Sequence, residues 1–168
     1  GVCLDACHAA VEFEDPRACV DALCAAGIAI AKVQVSAGLE LVPTAEARAR
    51  LRAFADPVYL HQVVAETEDG LVRWLDLGDA LESAREAKRW RVHFHVPVFA
   101  AELGVLGSTQ GFLVELLHHV RRRDACAQFE VETYTWDVLP PEHRGLAIED
   151  AIARELRWTR AQLHEAIA

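Results

Sequence analysis

The sequence predicts an α/β fold in which parallel strands are covered by helices. Short apolar, β-branched runs alternate along the chain with stretches of helical periodicity. One run, Ile28 to Ser36, is nearly continuous in apolar residues, the pattern of a strand covered on both faces. Hydrophobic residues make up 52% of the 168, which suits one domain with a substantial core.

The elements follow in order. Gly1 to Asp5 reads as the first strand. A helix is expected from Pro16 to Ala26, with Asp15 as its N-cap, Pro16 in its first turn and Gly27 ending it. The second strand is Ile28 to Ser36. Thr44 caps a short helix, Ala45 to Ala55, with Glu46 and Arg50 one turn apart. Val58 to Glu66 and Leu71 to Leu77 flank Thr67-Glu68-Asp69-Gly70, a hairpin signal that reads as an insertion into a parallel fold. Arg89 to Val98 is strand-like. A helix from Thr109 to Arg122 puts Phe112, Leu113, Leu116, Leu117 and Val120 on one side. Gln128 to Trp136 is the last strand. The last helix, Ile148 to Ile167, is expected to turn Ile148, Ile152, Leu156 and Leu163 inward.

Composition narrows the function classes. A net charge of -9 disfavours a nucleic-acid binder, which needs Lys and Arg against phosphates. The one basic cluster, Arg121-Arg122-Arg123, closes a helix and complements its dipole. No apolar run approaches the roughly 20 residues that span a bilayer. The five cysteines are odd in number and include no CxxC, which indicates free thiols in a reducing compartment, the cytoplasm. Cys3, Cys7 and His8 offer donors for zinc, although their spacing matches no structural zinc pattern. The chain has no Met and opens directly on a strand-like run, so the expectation is a single partial domain, residues 1–168.

In a βα barrel, side chains at the C-terminal strand ends point into the site. Asp5 ends the first strand, where an unpaired carboxylate is costly. The next expected helix starts about ten residues on, too far for Asp5 to cap it. Alternation puts Lys32, Gln34 and Ser36 on one face and Val33 and Val35 on the other. The polar row either contacts a ligand or forms a structural polar layer. His93 and His95 share one face of their strand. Glu130 and Glu132 do the same near the end of the last strand, with Glu130 also able to pair with Lys32. Tyr134 and Trp136 follow in a polar–aromatic run suited to a pocket mouth. Asp, His and Glu donors from different strands favour Mn²⁺, Mg²⁺, Co²⁺ or Zn²⁺.

Gly1-Val2-Cys3-Leu4-Asp5-Ala6-Cys7-His8 resembles the G-[VI]-C-[LI]-D-T-C-H strand of the xylose isomerase–like TIM barrels, a superfamily of sugar epimerases and endonuclease IV–type repair enzymes. Trp90 to Pro97 resembles the Arg/His segment after the penultimate strand, and Val131-Glu132-Thr133 the last-strand Glu-Thr. Together with Lys32 to Ser36 and Glu132 to Pro140, the wording is most similar to the EboE-type metabolite traffic proteins, assigned to making or exporting a secondary-metabolite precursor. The resemblance implies the C-terminal part of a (β/α)8 TIM barrel, with the N-terminal barrel half as a missing partner. It implies metal ligands at Asp5, His95 and Glu132. Glu132 and His8 would be catalytic, and Lys32, Gln34, His93, Tyr134 and Trp136 would bind substrate. Between the histidines His95 is preferred as ligand, being nearer the strand's end. His93 takes its place if the segment is a loop. Gln34 stands where many relatives have a metal-binding His.

The resulting expectation is a metal-dependent isomerase or epimerase acting on a sugar-like or polyol metabolite. The alternative is a metabolite-binding or trafficking protein that keeps the pocket without turnover. A DNA-repair nuclease is disfavoured by the charge.

Overall fold

The computed structural model of the chain describes residues 1–55, 59–132 and 147–166. Strand β1 (Val2–Asp5) runs into a short helix, α1 (Ala6–Val11), and then α2 (Pro16–Ala25). Strands β2 (Ile30–Val35) and β3 (Ala37–Leu41) follow almost without a break, then α3 (Ala45–Leu51) and a 3-10 turn, Arg52–Phe54. The hairpin β4 (Val63–Thr67) and β5 (Gly70–Trp74) leads to α4 (Leu77–Glu82) and the long strand β6 (Arg89–Val96). Short strands β7 (Glu102–Leu103) and β8 (Leu106–Ser108) precede α5 (Gln110–Arg122), β9 (Phe129–Val131) and α6 (Ile148–Glu165).

Local chemistry explains the helix boundaries. Asp15 Oδ1 accepts from the backbone N–H groups of Arg17 (2.9 Å) and Ala18 (2.8 Å), and Pro16 opens α2. Gly27 ends α2 at φ +70°, with its N–H on Cys24 O and that of Ile28 on Leu23 O, a Schellman closure. Thr44 Oγ1 accepts from Ala47 N–H at 3.1 Å to start α3. Helix α5 buries Phe112, Leu113, Leu116, Leu117 and Val120, each such side chain contributing about 1.5–3 kcal/mol. It packs against α1, α2 and α6. Arg17–Glu115 and His119–Asp21, both at 2.8 Å, tie it to α2.

The barrel expectation is overturned. Among the described residues only β1, β2 and β9 are parallel, in a three-stranded sheet of order β1-β2-β9. The other strands form a separate six-stranded antiparallel sheet, β5-β4-β6-β3-β8-β7. The hairpin is therefore no insertion. Its strand β4 pairs with β6 and builds the antiparallel sheet.

The physical reason lies in β6. Arg89, Arg91, His93 and His95 alternate with Trp90, Val92, Phe94 and Val96, the half-polar pattern of an antiparallel strand rather than a strand buried on both faces. Trp90 and Phe94 are fully buried, Phe94 meeting Phe54 edge-on at 5.1 Å.

The extended run from β2 through Ser36 into β3 belongs to both sheets. Val33 and Val35 join the core, while Lys32 and Gln34 are half-buried on the opposite face. Gly38 lies where β3 passes close to β6 and α1. A Cβ there would come within 2.8 Å of Val92 O and 3.1 Å of Cys7 Sγ, so only glycine fits.

Two further expectations fail. Helix α6 turns Ala151, Glu155 and Thr159 inward, while Ile148, Ile152 and Leu156 are 51%, 40% and 52% exposed, and of the expected stripe Leu163 alone packs on the core. Val98 N–H donates to the buried Glu155 Oε1 at 3.0 Å, which fixes that orientation. Asp5, for its part, does cap a helix, since α1 begins at the next residue. Among the described residues no helix is long and apolar enough to cross a membrane.

Candidate metal centre

The C-terminal ends of the three parallel strands meet the C-terminal end of β6. Asp5 ends β1, Ser36 follows β2, and Glu132 follows β9 with its N–H on Val35 O at 3.0 Å. His93 and His95 arrive from the antiparallel sheet, because Val96 of β6 pairs with Ala37, one residue past Ser36.

Asp5 is held from two sides. Its Oδ1 accepts from His8 N–H at 3.1 Å and from Ser36 Oγ at 3.0 Å. The Ser36 hydroxyl in turn accepts from Cys7 N–H at 3.0 Å. The start of α1, and with it Cys7 and His8, is thereby fixed to the end of β2. Arg91 secures the other end of α1 by donating to Ala10 O at 2.7 Å, while its Nε donates to Glu40 at 2.6 Å.

Two imidazoles, half-buried His93 and buried His95, define the centre. His95 Nδ1 lies 3.1 Å from the Glu132 carbonyl, which can only accept, so Nδ1 carries a proton and a neutral ring presents its Nε2 lone pair. That Nε2 faces His93 Nε2 at 3.2 Å. His8 stacks on His93 with ring centroids 4.2 Å apart. His61, on the far side, places Nδ1 3.1 Å from His93 O and holds the backbone of β6 there.

Burial pushes His93 down to about 4, reinforced by the neighbouring His8 and His95 and opposed by Asp5. Burial likewise lowers His95, against the Glu132 carbonyl and the Glu132 and Asp5 carboxylates, which favour its protonation. Both rings are therefore neutral at pH 7, the state that binds metals. The Cys7 thiol is pushed well up, first by burial and then by Asp5 and Glu132.

One donor atom each from Cys7, His93 and His95 lies within 4.8 Å of the others. Asp5 and Glu132, on the strands either side of β2, act on this group by charge. Glu132 Oε2 is buried and has no hydrogen-bond partner among the described residues, an unfavourable state for a carboxylate that a cation would relieve. These donors fit a divalent ion. A tetrahedral ion with Zn–N bonds of about 2.05 Å needs nitrogens about 3.3 Å apart, close to the separation of the two Nε2 atoms.

Of the residues singled out in the sequence, Asp5, His8, His93, His95 and Glu132 come together. Lys32 stands further along the polar face of the parallel sheet, paired with Glu130 at 3.1 Å. Gln34 accepts from Cys3 Sγ at 3.3 Å. Tyr134 and Trp136 lie outside the described residues. Cys7 was weighed only as a zinc ligand with Cys3 and His8 and set aside on its spacing, and His61 was not singled out. Cys7 precedes His8 inside the motif, but its place beside β6 depends on a sheet pairing that local spacing does not carry. No family model matches the chain, and no curated protein or solved structure matches it either.

Proposed function

We propose that the chain is a divalent-metal protein that acts on a small sugar-like or polyol metabolite by proton transfer, in the manner of an isomerase or epimerase. The observation that carries this is the neutral pair of half-buried His93 and buried His95 beside a carboxylate oxygen of Glu132 that has no partner among the described residues. His95 with the adjacent His93 would supply nitrogen to the ion, and Asp5 and Glu132 would supply oxygen. Such an ion polarises a carbonyl or hydroxyl and lowers the pKa of the neighbouring C–H.

The chain's own residues do the rest. Glu132 takes up a proton from that carbon through its buried Oε2, the carboxylate oxygen without a hydrogen-bond partner among the described residues. His8, exposed and stacked on His93, returns a proton from the solvent side. Ser36 keeps the Asp5 carboxylate from turning away. Gln34 and Lys32 share one face of β2, and Lys32 reaches a ligand only by leaving Glu130.

The second reading, a metabolite carrier without turnover, draws on Gln34, an amide engaged with Cys3 where a ligand histidine would otherwise add to the site. Metal analysis followed by a proton-exchange screen in D₂O against sugars and polyols separates the two. The expected result is one divalent ion per chain and deuterium entering at carbon next to a carbonyl, abolished in Glu132→Gln. Metal and ligand binding without exchange would select the carrier. A chain that takes up no divalent ion would end both metal readings.

A further inference from the structure

We propose that Cys7, His93 and His95 form a thiolate-bearing site for a zinc-class ion, with Cys7 as its sulfur ligand. This rests on the metal-site reading above and narrows it. A site of carboxylates and imidazoles accepts Mg²⁺ or Mn²⁺, whereas a thiolate beside two imidazoles selects Zn²⁺ or Co²⁺.

The position of the sulfur carries the argument. Cys7 is wholly buried on the first turn of α1, its N–H fixed by Ser36, and its Sγ is one of three donors within 4.8 Å of one another. The sulfur occupies a space that the missing side chain of Gly38 leaves open. With Zn–S of about 2.3 Å and Zn–N of about 2.05 Å, tetrahedral geometry needs sulfur and nitrogen about 3.6 Å apart. The cluster therefore tightens by at most about 1.2 Å onto the ion.

Orientation of the rings is already set. His95 Nδ1–H is committed to Glu132 O, the backbone contact typical of a ligating histidine, and its Nε2 faces His93 Nε2 at 3.2 Å, a contact that an ion between the two rings would replace. The fourth position falls to a carboxylate or to substrate, with Asp5 and Glu132 supplying the negative charge around it. Those carboxylates oppose a bare thiolate at Cys7. A dication reverses that balance, because it offsets the thiolate and both carboxylates at once.

Binding then has a fixed proton balance. The Cys7 S–H bond breaks, an S–metal bond forms, and one proton goes to solvent. The imidazoles, neutral at pH 7, release none.

The test is titration of the metal-free, reduced chain with Co²⁺, followed by absorbance and by proton release in weak buffer at pH 7. The expected result is a thiolate-to-cobalt charge-transfer band in the near ultraviolet and one proton released per ion bound. Cys7→Ser should lose both. It should also bind Zn²⁺ more weakly by over about 100-fold, beyond the loss caused by removing a supporting partner. Cys3→Ser, whose thiol lies on the exposed face, should keep both signals.

Cobalt bound with visible ligand-field bands but no charge-transfer band and no proton overturns the sulfur ligand and leaves the metal-dependent reading standing. A band that survives Cys7→Ser also overturns it. No cobalt binding at all overturns both. Should Cys7→Ser fail to fold, as judged by circular dichroism, the wild-type band, the wild-type proton count and the Cys3→Ser control still decide.

Discussion

Replacing Ser36 by Ala tests the junction between the two sheets. The hydroxyl is fully buried, accepts from Cys7 N–H at 3.0 Å and donates to Asp5 Oδ1 at 3.0 Å. Its loss strands the Cys7 N–H in a dry site, which costs about 1–3 kcal/mol. It also removes a hydrogen bond to a carboxylate, a contact worth about 1.5–3 kcal/mol. Asp5 keeps its bond from His8 N–H, so the two losses overlap and the sum settles near 3 kcal/mol. For a chain of 168 residues, each kcal/mol moves the melting temperature by about 2–4 °C, giving a fall of about 6–12 °C. Urea denaturation and calorimetry of Ser36→Ala against wild type would measure it, with the urea slope unchanged because the fold is the same. A loss under about 0.5 kcal/mol, the size of a surface substitution, would show that the hydroxyl does not hold α1 to β2.

Two further outcomes follow from the same structure. The depressed His93 and His95 groups stay neutral in the folded chain while their unfolded counterparts protonate below about 6.5. Their contribution is thus fully retained above that pH and lost as pH falls toward 4. His93 alone accounts for about 2–3 kcal/mol, so denaturation midpoints followed from pH 7 to 4 should fall more gently in His93→Gln. Equal slopes would refute the assignment. Arg91→Ala should cost about 3 kcal/mol, since the side chain is only 12% exposed, pairs with Glu40 and caps the Ala10 carbonyl. Arg91→Lys should restore little of it, because one ammonium cannot reproduce the forked contacts, and thermal melting of both variants checks this.

Much of the local structure was legible in the sequence for chemical reasons. Asp15, Pro16 and Gly27 bound α2, Thr44 opens α3, and the apolar stripe of α5 is buried as its spacing requires. The hairpin turned where Asp69-Gly70 stands, Gly70 taking φ +115°. What failed was long-range pairing. Strand β3 begins Ala37-Gly38 with no turn after β2, so nothing local marks the change of sheet. Helix α1 has six residues, too few to show a helical period, and its absence from the reading made Asp5 look uncapped. In α6 the hydropathy stripe and the buried stripe differ, because Glu155 is drawn inward by the Val98 N–H.

The gathering of site residues does not depend on the fold class that was expected for it. It needs only that parallel strand ends and the histidine-bearing strand meet at one place. Continuity of β2 and β3 through Ser36 accomplishes this, since the β3–β6 register sets Val96 opposite Ala37 and so brings His95 to the junction. Because side chains alternate along a strand, a slip of β6 by one residue would turn Phe94 and Val96 toward Cys7 and send both imidazoles into the face now filled by Phe54. Several anchors oppose that slip: Trp90 buried against Trp74, Arg91 bound to Glu40 and Ala10, and His61 on the His93 carbonyl. Three of these four contacts lie outside the candidate centre. The precision of the His93–His95 pair is therefore a property of the antiparallel sheet as a whole, and variants at Trp90 or Glu40 should disturb the centre from a distance by loosening the register of β6.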